Sequence, residues 1–173
     1  MIQSKQDHFL ALYEPVHDRF ERFCRARVYG EMEYTDLMNE TLLVAFEKFE
    51  SLKSDTSFLS FLFGTAVRIL ANNRRKMKPE RMITIGKECN ASSSETTDRA
   101  TEVALLHRAL SELNEEQREA LILFEISGFS IREVAAIQAV SEGAVKQRLK
   151  RGRTRLTEIL SYEAVLKTGK EII

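Results

Sequence analysis

Six cations crowd the segment between Gly143 and Leu156: Lys146, Arg148, Lys150, Arg151, Arg153 and Arg155. Among them Val145, Leu149 and Leu156 keep helical spacing. A helix here buries Val145 and Leu149 on one side and fans the cations over the rest. The chemistry on offer is electrostatic. Ammonium and guanidinium groups spread over a helix surface grip phosphate oxygens, while residues at the helix N-terminus reach base edges. A solvated basic face on a purely structural helix is the plainer alternative. The residues in front of the segment weigh against it. Ser130 with Glu133 forms a capping-box pattern that opens a short helix from Ile131 to Gln138, Ala139 and Val140 make a tight turn, and Ser141 caps the basic helix. Two short capped helices, the second one basic, are the sequence form of a helix-turn-helix.

Catalytic chemistry finds no footing. His8, His17 and His107 stand apart from any nucleophile or carboxylate arrangement, and no glycine-rich phosphate loop is present. Cys24 and Cys89 belong to no Cys/His cluster, so neither a metal site nor a cofactor is expected. The early charges Lys5 and Asp7 interrupt any signal-peptide core, and no apolar run approaches a membrane span. The expectation is a non-enzymatic, cytoplasmic protein without membrane insertion.

The elements that must position the basic helix are themselves helical. With only two prolines, seven glycines and few β-branched runs among 173 residues, an all-α chain is expected. Lys and Arg balance Asp and Glu at 26 each, so any nucleic-acid signal is local rather than global. Phe9, Leu12, Tyr13, Val16, Phe20, Phe23 and Cys24 predict an amphipathic helix from Gln6 to Tyr29, ended by Gly30. Thr35 is placed to cap a second helix carrying Leu37 to Phe49, and Ser51–Ser57 reads as a polar loop. A third helix runs from Phe58 to Lys76, turns basic at Arg74, Arg75 and Lys76, and stops before Pro79. Residues 79–97 have linker composition and are expected to be mobile. Beyond them a helix from Asp98 to Leu110 precedes one capped by Asn114, with Gln117 in capping-box position, that ends at Gly128. Two small helical domains, 1–78 and 98–173, joined by a flexible linker are therefore expected.

The segments Leu113–Glu119, Gly128–Ala135 and Ser141–Arg153 together resemble region 4 of bacterial extracytoplasmic-function (ECF) sigma factors. In that family the region is a helical domain that reads the promoter −35 element. The resemblance assigns −35 contacts to Ser141, Glu142, Ala144, Lys146, Gln147, Arg148, Lys150, Arg151, Arg153 and Arg155. Asn114 stands where the family usually has proline, and Gln138-Ala139 replaces a common Leu-Gly. The N-terminal half looks like region 2. Asp36–Thr41 with Ala45–Phe49 is similar to its polymerase-docking helix, implying contacts with core RNA polymerase through Asp36, Leu37, Asn39, Glu40, Leu43 and Glu47. Ser57–Leu62 and the following basic helix resemble the element that opens and holds the −10 promoter DNA. This implies roles for Ser54, Asp55, Thr56, Ser57, Phe61, Arg68, Asn72, Arg74, Arg75 and Lys76. Phe61, Arg68 and Asn72 replace the family's usual tryptophan, asparagine and aspartate. Taken by itself, Phe61 reads mainly as core.

The resemblance thus implies core RNA polymerase and promoter DNA as partners, and admits an anti-sigma factor. A different class of protein fits the helix-turn-helix alone: a stand-alone transcriptional regulator whose N-terminal half senses a ligand or dimerises. It predicts tight duplex binding without polymerase.

Overall fold

The computed structural model describes residues 4–77 and 97–168, and every regular element among them is helical. Helix α1 (Lys5–Tyr13) opens on a capping box: the Ser4 hydroxyl accepts from the Asp7 N–H at 3.1 Å, and the Asp7 carboxylate accepts from the Ser4 N–H. The single helix expected from Gln6 to Tyr29 divides at Pro15. That residue has no N–H to give, and the chain passes through a 3₁₀ turn (Glu14–Val16) before α2 (His17–Val28). Gly30, at φ +76°, turns the chain toward α3 (Tyr34–Glu47). The helix begins one residue before Thr35, after Glu33, whose side chain makes no capping bond. Two 3₁₀ turns, Phe49–Ser51 and Asp55–Ser57, stiffen the polar loop that leads into α4 (Phe58–Met77). Of the expected linker, 79–97, all but Thr97 lies outside the described residues.

The second half starts with α5 (Thr97–Ser111). Asn114 caps α6 (Glu115–Leu121) by accepting from the Glu116 N–H at 2.9 Å, so Gln117 completes no box. A π-helical turn, Ile122–Ile126, prolongs α6, closed by the Ser127 N–H on the Ile122 carbonyl at 2.9 Å. Ser130 and Glu133 form the expected reciprocal cap of α7 (Ile131–Gln138). Two bonds from Ser130 hold the Glu133 carboxyl below its usual range. The basic segment and the tail behind it form one helix, α8 (Glu142–Thr168).

Ala139 ends α7 in the left-handed region, at φ 54° and ψ 46°. Glycine is usual at this position, because a Cβ there crowds the backbone. Ala139→Gly is therefore expected to stabilise the protein by about 1 kcal/mol, read as a higher urea midpoint at unchanged slope. An unchanged or lower midpoint would show that the turn tolerates its methyl group.

Phe9 meets Phe46, Phe49 and Phe58 edge-on at ring-centroid distances of 5.4, 5.3 and 5.4 Å, tying α1, α3 and α4 together. Phe63 of α4 meets Phe20 and Phe23 of α2 at 5.3 and 5.0 Å. In the second half, buried Leu121, Leu123, Val134, Val145 and Leu149 gather α6, α7 and α8. The sequence leaves the placement of the two halves open. They lie directly against each other: Phe63 touches Phe129 at 4.8 Å, α7 packs on α4, and α2 packs on the π-turn.

Candidate nucleic-acid interface

Helix α8 is set into the helix-turn-helix by its own N-terminus and by one narrow crossing. Ser141 Oγ accepts from the Ala144 N–H at 3.2 Å, while Val145 and Leu149 are buried against α6 and α7. At Gly152 the backbone passes so close to α6 that an added Cβ would lie 2.9 Å from Leu121 Cδ1. This seating leaves Ser141, Glu142, Lys146, Gln147, Lys150 and Arg151 exposed along one face, with Ala144 half-buried. Lys146, Lys150 and Arg151 form no ion pair among the described residues. A shallow groove of about 480 Å³ is lined by Gln147, Lys150, Arg151, Thr154, Arg155 and Glu158.

Arg148, Arg153 and Arg155 of α8 are engaged within the protein. Arg148, one of the residues that the resemblance assigns to the −35 contact, is drawn inward in the free chain. Its side chain is only 17% exposed, pairs with Glu116 at 3.0 Å and donates to Gln138 Oε1 at 3.1 Å. It therefore clamps α8 to α6 and to the end of α7. Arg153 pairs with Glu125 at 2.6 Å over the Phe124 ring, and Arg155 pairs with Glu158 at 3.1 Å. Both stay about half exposed. Two of these partners, Glu116 and Glu125, lie upstream of the basic helix, on α6 and the π-turn.

A second polar surface lies on α4 and the turn before it. Ser57 Oγ donates to the Ser54 carbonyl at 2.7 Å, Ser54 and Thr56 share a hydrogen bond at 2.9 Å, and Asp55 meets His8 at 3.0 Å. These bonds hold Ser54, Asp55, Thr56 and half-buried Ser57 in an ordered rim. Phe58 and Phe63 are core, whereas Phe61 is only half-buried. Phe61 lines a groove of about 450 Å³ between α3 and α4 together with Thr65, Arg68, Asn72, Asn73 and Lys76. Glu40 of α3 and Lys48, just past the end of that helix, also line the groove. Arg68 is exposed and donates to the Gly64 carbonyl at 2.9 Å; Asn72, Arg75 and Lys76 are exposed, and Arg74 is paired with Glu115 of α6. Lys48, Thr65, Asn73 and, on α8, Thr154 escape the sequence reading. Their only signal is helical spacing from residues already singled out.

On α3, Asp36, Asn39, Glu40, Leu43 and Glu47 fall on one exposed stripe. Leu43 is 60% exposed, a large apolar side chain in the middle of polar neighbours. Leu37 corrects its expected place in this set. It has no exposed surface and sits in the core beneath the stripe, so it positions the helix rather than touching a partner.

Metal-type donors converge at His17, Asp18 and Glu21, whose ligand atoms lie within 4.8 Å of one another. His17 Nδ1 is hydrogen-bonded to the Tyr13 hydroxyl at 2.8 Å, and Glu21 binds Arg25 at 2.7 Å. The partners of His17 and Glu21 are thus protein groups.

Residues 104–156 match the family model described as sigma-70, region 4. The chain is 32% identical over 137 residues to the ECF RNA polymerase sigma factor EcfG of Rhodopseudomonas palustris, covering 79% of this chain and 76% of that one. It is 28% identical over 164 residues to the ECF RNA polymerase sigma factor SigM of Mycobacterium tuberculosis, covering 95% and 81%. In fold it is similar to the sigma factor RpoE of Bartonella quintana, solved with the anti-sigma factor NepR, at TM-score 0.71 and 24% identity over 89% of this chain and 97% of that one. A second solved likeness, CnrH with the cytosolic domain of CnrY, has TM-score 0.68 and 23% identity over 91% and 90%. A helix-turn-helix with an exposed cationic face, in a chain this similar to EcfG over three quarters of both lengths, belongs to the extracytoplasmic-function family of RNA polymerase sigma factors.

Proposed function

We propose that this sigma factor works through three surfaces, within a region 2-like unit at 1–78 and a region 4-like unit at 98–173. The stripe Asp36, Asn39, Glu40, Leu43 and Glu47 docks on core RNA polymerase. The rim Ser54–Ser57 and the α4 face bearing Phe61, Arg68, Asn72, Arg75 and Lys76 capture the opened −10 strand. The exposed face of α8 grips the −35 duplex. The observation that carries the reading is the exposure of Lys146, Gln147, Lys150 and Arg151 on the second helix of a helix-turn-helix. Lys146 and Gln147, nearest the helix N-terminus, face base edges; Lys150, Arg151, Arg153 and Arg155 anchor phosphates.

Strand opening on this reading needs no chemistry. Unstacked bases gain pocket and aromatic contacts, and the separated strand lies on a basic surface, so binding energy drives the melting. The protein is accordingly read as a non-enzymatic initiation factor acting in the cytoplasm, where its polymerase is. Among the described residues no helix is long and apolar enough to cross a membrane. Solved relatives in complex with anti-sigma proteins support a partner of that class for this chain as well.

Capture of core polymerase by the full chain, followed by run-off transcription from a candidate promoter, tests the proposal. No association with core enzyme at low salt overturns it. Tight palindrome binding by a dimer without polymerase would instead favour a stand-alone regulator. A finer test separates the cations of α8. Lys150→Ala and Arg151→Ala are each expected to flatten the salt dependence of duplex binding by about 0.9 in log–log slope. Arg148→Ala should instead lower stability, because it removes the Glu116–Gln138 clamp. A slope unchanged in both phosphate-anchor variants would remove them from the interface.

A further inference from the structure

The contact between the two halves holds four charged groups in a crossed arrangement. Arg118 of α6 is 1% exposed, yet its side-chain hydrogen bonds among the described residues all reach the other half. It pairs with Glu31 at 2.7 Å and donates to the carbonyls of Ala26 and Tyr29 at 3.0 and 3.4 Å. In the opposite sense, fully buried Arg27 of α2 reaches Glu119 of α6 at 3.5 Å. Arg19 also donates to the Ser127 carbonyl and lies over the Phe129 ring at 4.5 Å.

This contact covers one of the two DNA-binding surfaces and spares the other. Helix α7 lies across α4, and Ala136, Ile137 and Ala139 form the far wall of a cleft of about 590 Å³ whose near wall includes Ser54, Phe61 and Arg68. At the basic end of α4, Glu115 occupies Arg74. A single strand following the α4 face from Ser54 to Arg75 meets α7 in its path. Lys146, Lys150 and Arg151 remain exposed.

We infer that the Arg118–Glu31 and Arg27–Glu119 pairs form an intramolecular latch that keeps the free chain closed, masking the strand-capture face of α4 while leaving the duplex-reading face of α8 open. The inference rests on the strand-capture reading of α4 given above. The latch is poised rather than locked. Burying charges costs much of what their pairing returns. Three buried guanidinium nitrogens, Arg27 Nη1 and Nη2 and Arg118 Nε, also find no hydrogen-bond partner among the described residues. Burial, with Arg27 nearby, pushes the Arg118 guanidinium down to about 10, the direction expected for a charge held at a cost. Opening returns all four charges to water, so a partner with modest preference for the open form shifts the balance.

Pulsed-EPR distances test the latch in the full chain without DNA or polymerase. Labels at Glu50→Cys and Arg132→Cys, both exposed sites, are introduced with Cys89→Ser; buried Cys24, its thiol pushed up by desolvation, stays unlabelled. The expected result is one narrow distance distribution in the parent. Arg118→Met and Glu31→Lys, acting from opposite halves, should both shift it to longer, broader distances while helical content by circular dichroism is retained. If the closed form holds roughly nine-tenths of the free chain, opening raises affinity for a fluorescent single-stranded oligonucleotide about tenfold and leaves duplex affinity unchanged. A broad distribution in the parent, or one unmoved in both folded variants, overturns the latch. An opened variant with no gain for single strands upholds the latch and overturns the strand-capture reading instead.

Discussion

Replacing Leu43 by Asp is expected to weaken binding to core RNA polymerase by roughly 30- to 1000-fold, or about 2–4 kcal/mol. Leu43 is 60% exposed in the free protein and stands among Asp36, Asn39, Glu40 and Glu47 on one face of α3. An apolar side chain inside a polar rim is how the centre of an interface looks before its partner arrives. A carboxylate there loses the apolar contact and must itself be stripped of water on docking. The fold should survive, because Leu43 lies on the surface and Asp costs a helix only about 0.5 kcal/mol. Fluorescence titration of labelled chain with core enzyme reads the effect, and a loss below about threefold would place the docking face elsewhere.

The second large effect concerns stability. Gly152→Val is expected to destabilise the protein by about 2–3 kcal/mol, whereas Gly152→Ala should stay within about 1 kcal/mol of the parent. At this crossing of α6 and α8, an added Cβ meets Leu121 Cδ1 at 2.9 Å, Leu121 Cγ at 3.3 Å and Gln117 Cβ at 3.4 Å. Alanine gains helix propensity of about 1 kcal/mol, which offsets a small retreat of the buried Leu121 tip. Valine adds branches that no such retreat accommodates. Equal urea midpoints for the two variants would mean that the helices part without cost.

How much of the fold and the site is legible in sequence depends on the range of each interaction. The Ser130–Glu133 box spans a single helical turn, so residue types at their spacing suffice to set the boundaries of α7. Pro15 is equally local, yet the apolar spacing on both sides of it continues, which hides the break between α1 and α2. The α3 stripe is legible as a helical face, but helical spacing alone does not divide Leu37 from Leu43. Their opposite burial depends on where α4 packs. The charges are hardest to read. Arg118, alone among Glu115, Glu116 and Glu119, looks like one more surface cation, and its partner lies 87 residues away on the other half. Arg148 reads as one more DNA-facing cation, because Gln138, which draws it inward, takes a place where the family usually has leucine. Interactions closed across space by polar side chains leave no period in the chain.

The π-turn at Ile122–Ile126 has a consequence for comparing relatives. A helix that closes one bond as i to i+5 has accommodated one residue more than an α-helix would, as an insertion absorbed without a loop. Each residue advances a helix by about 100°, so removing one here would swing the chain beyond Ile126 by that angle. Phe129 would then leave Phe63, and the Ser127 carbonyl would leave Arg19. A one-residue gap at this point in an alignment would therefore mark the relatives whose halves meet differently, and sort the family by resting shape rather than by promoter.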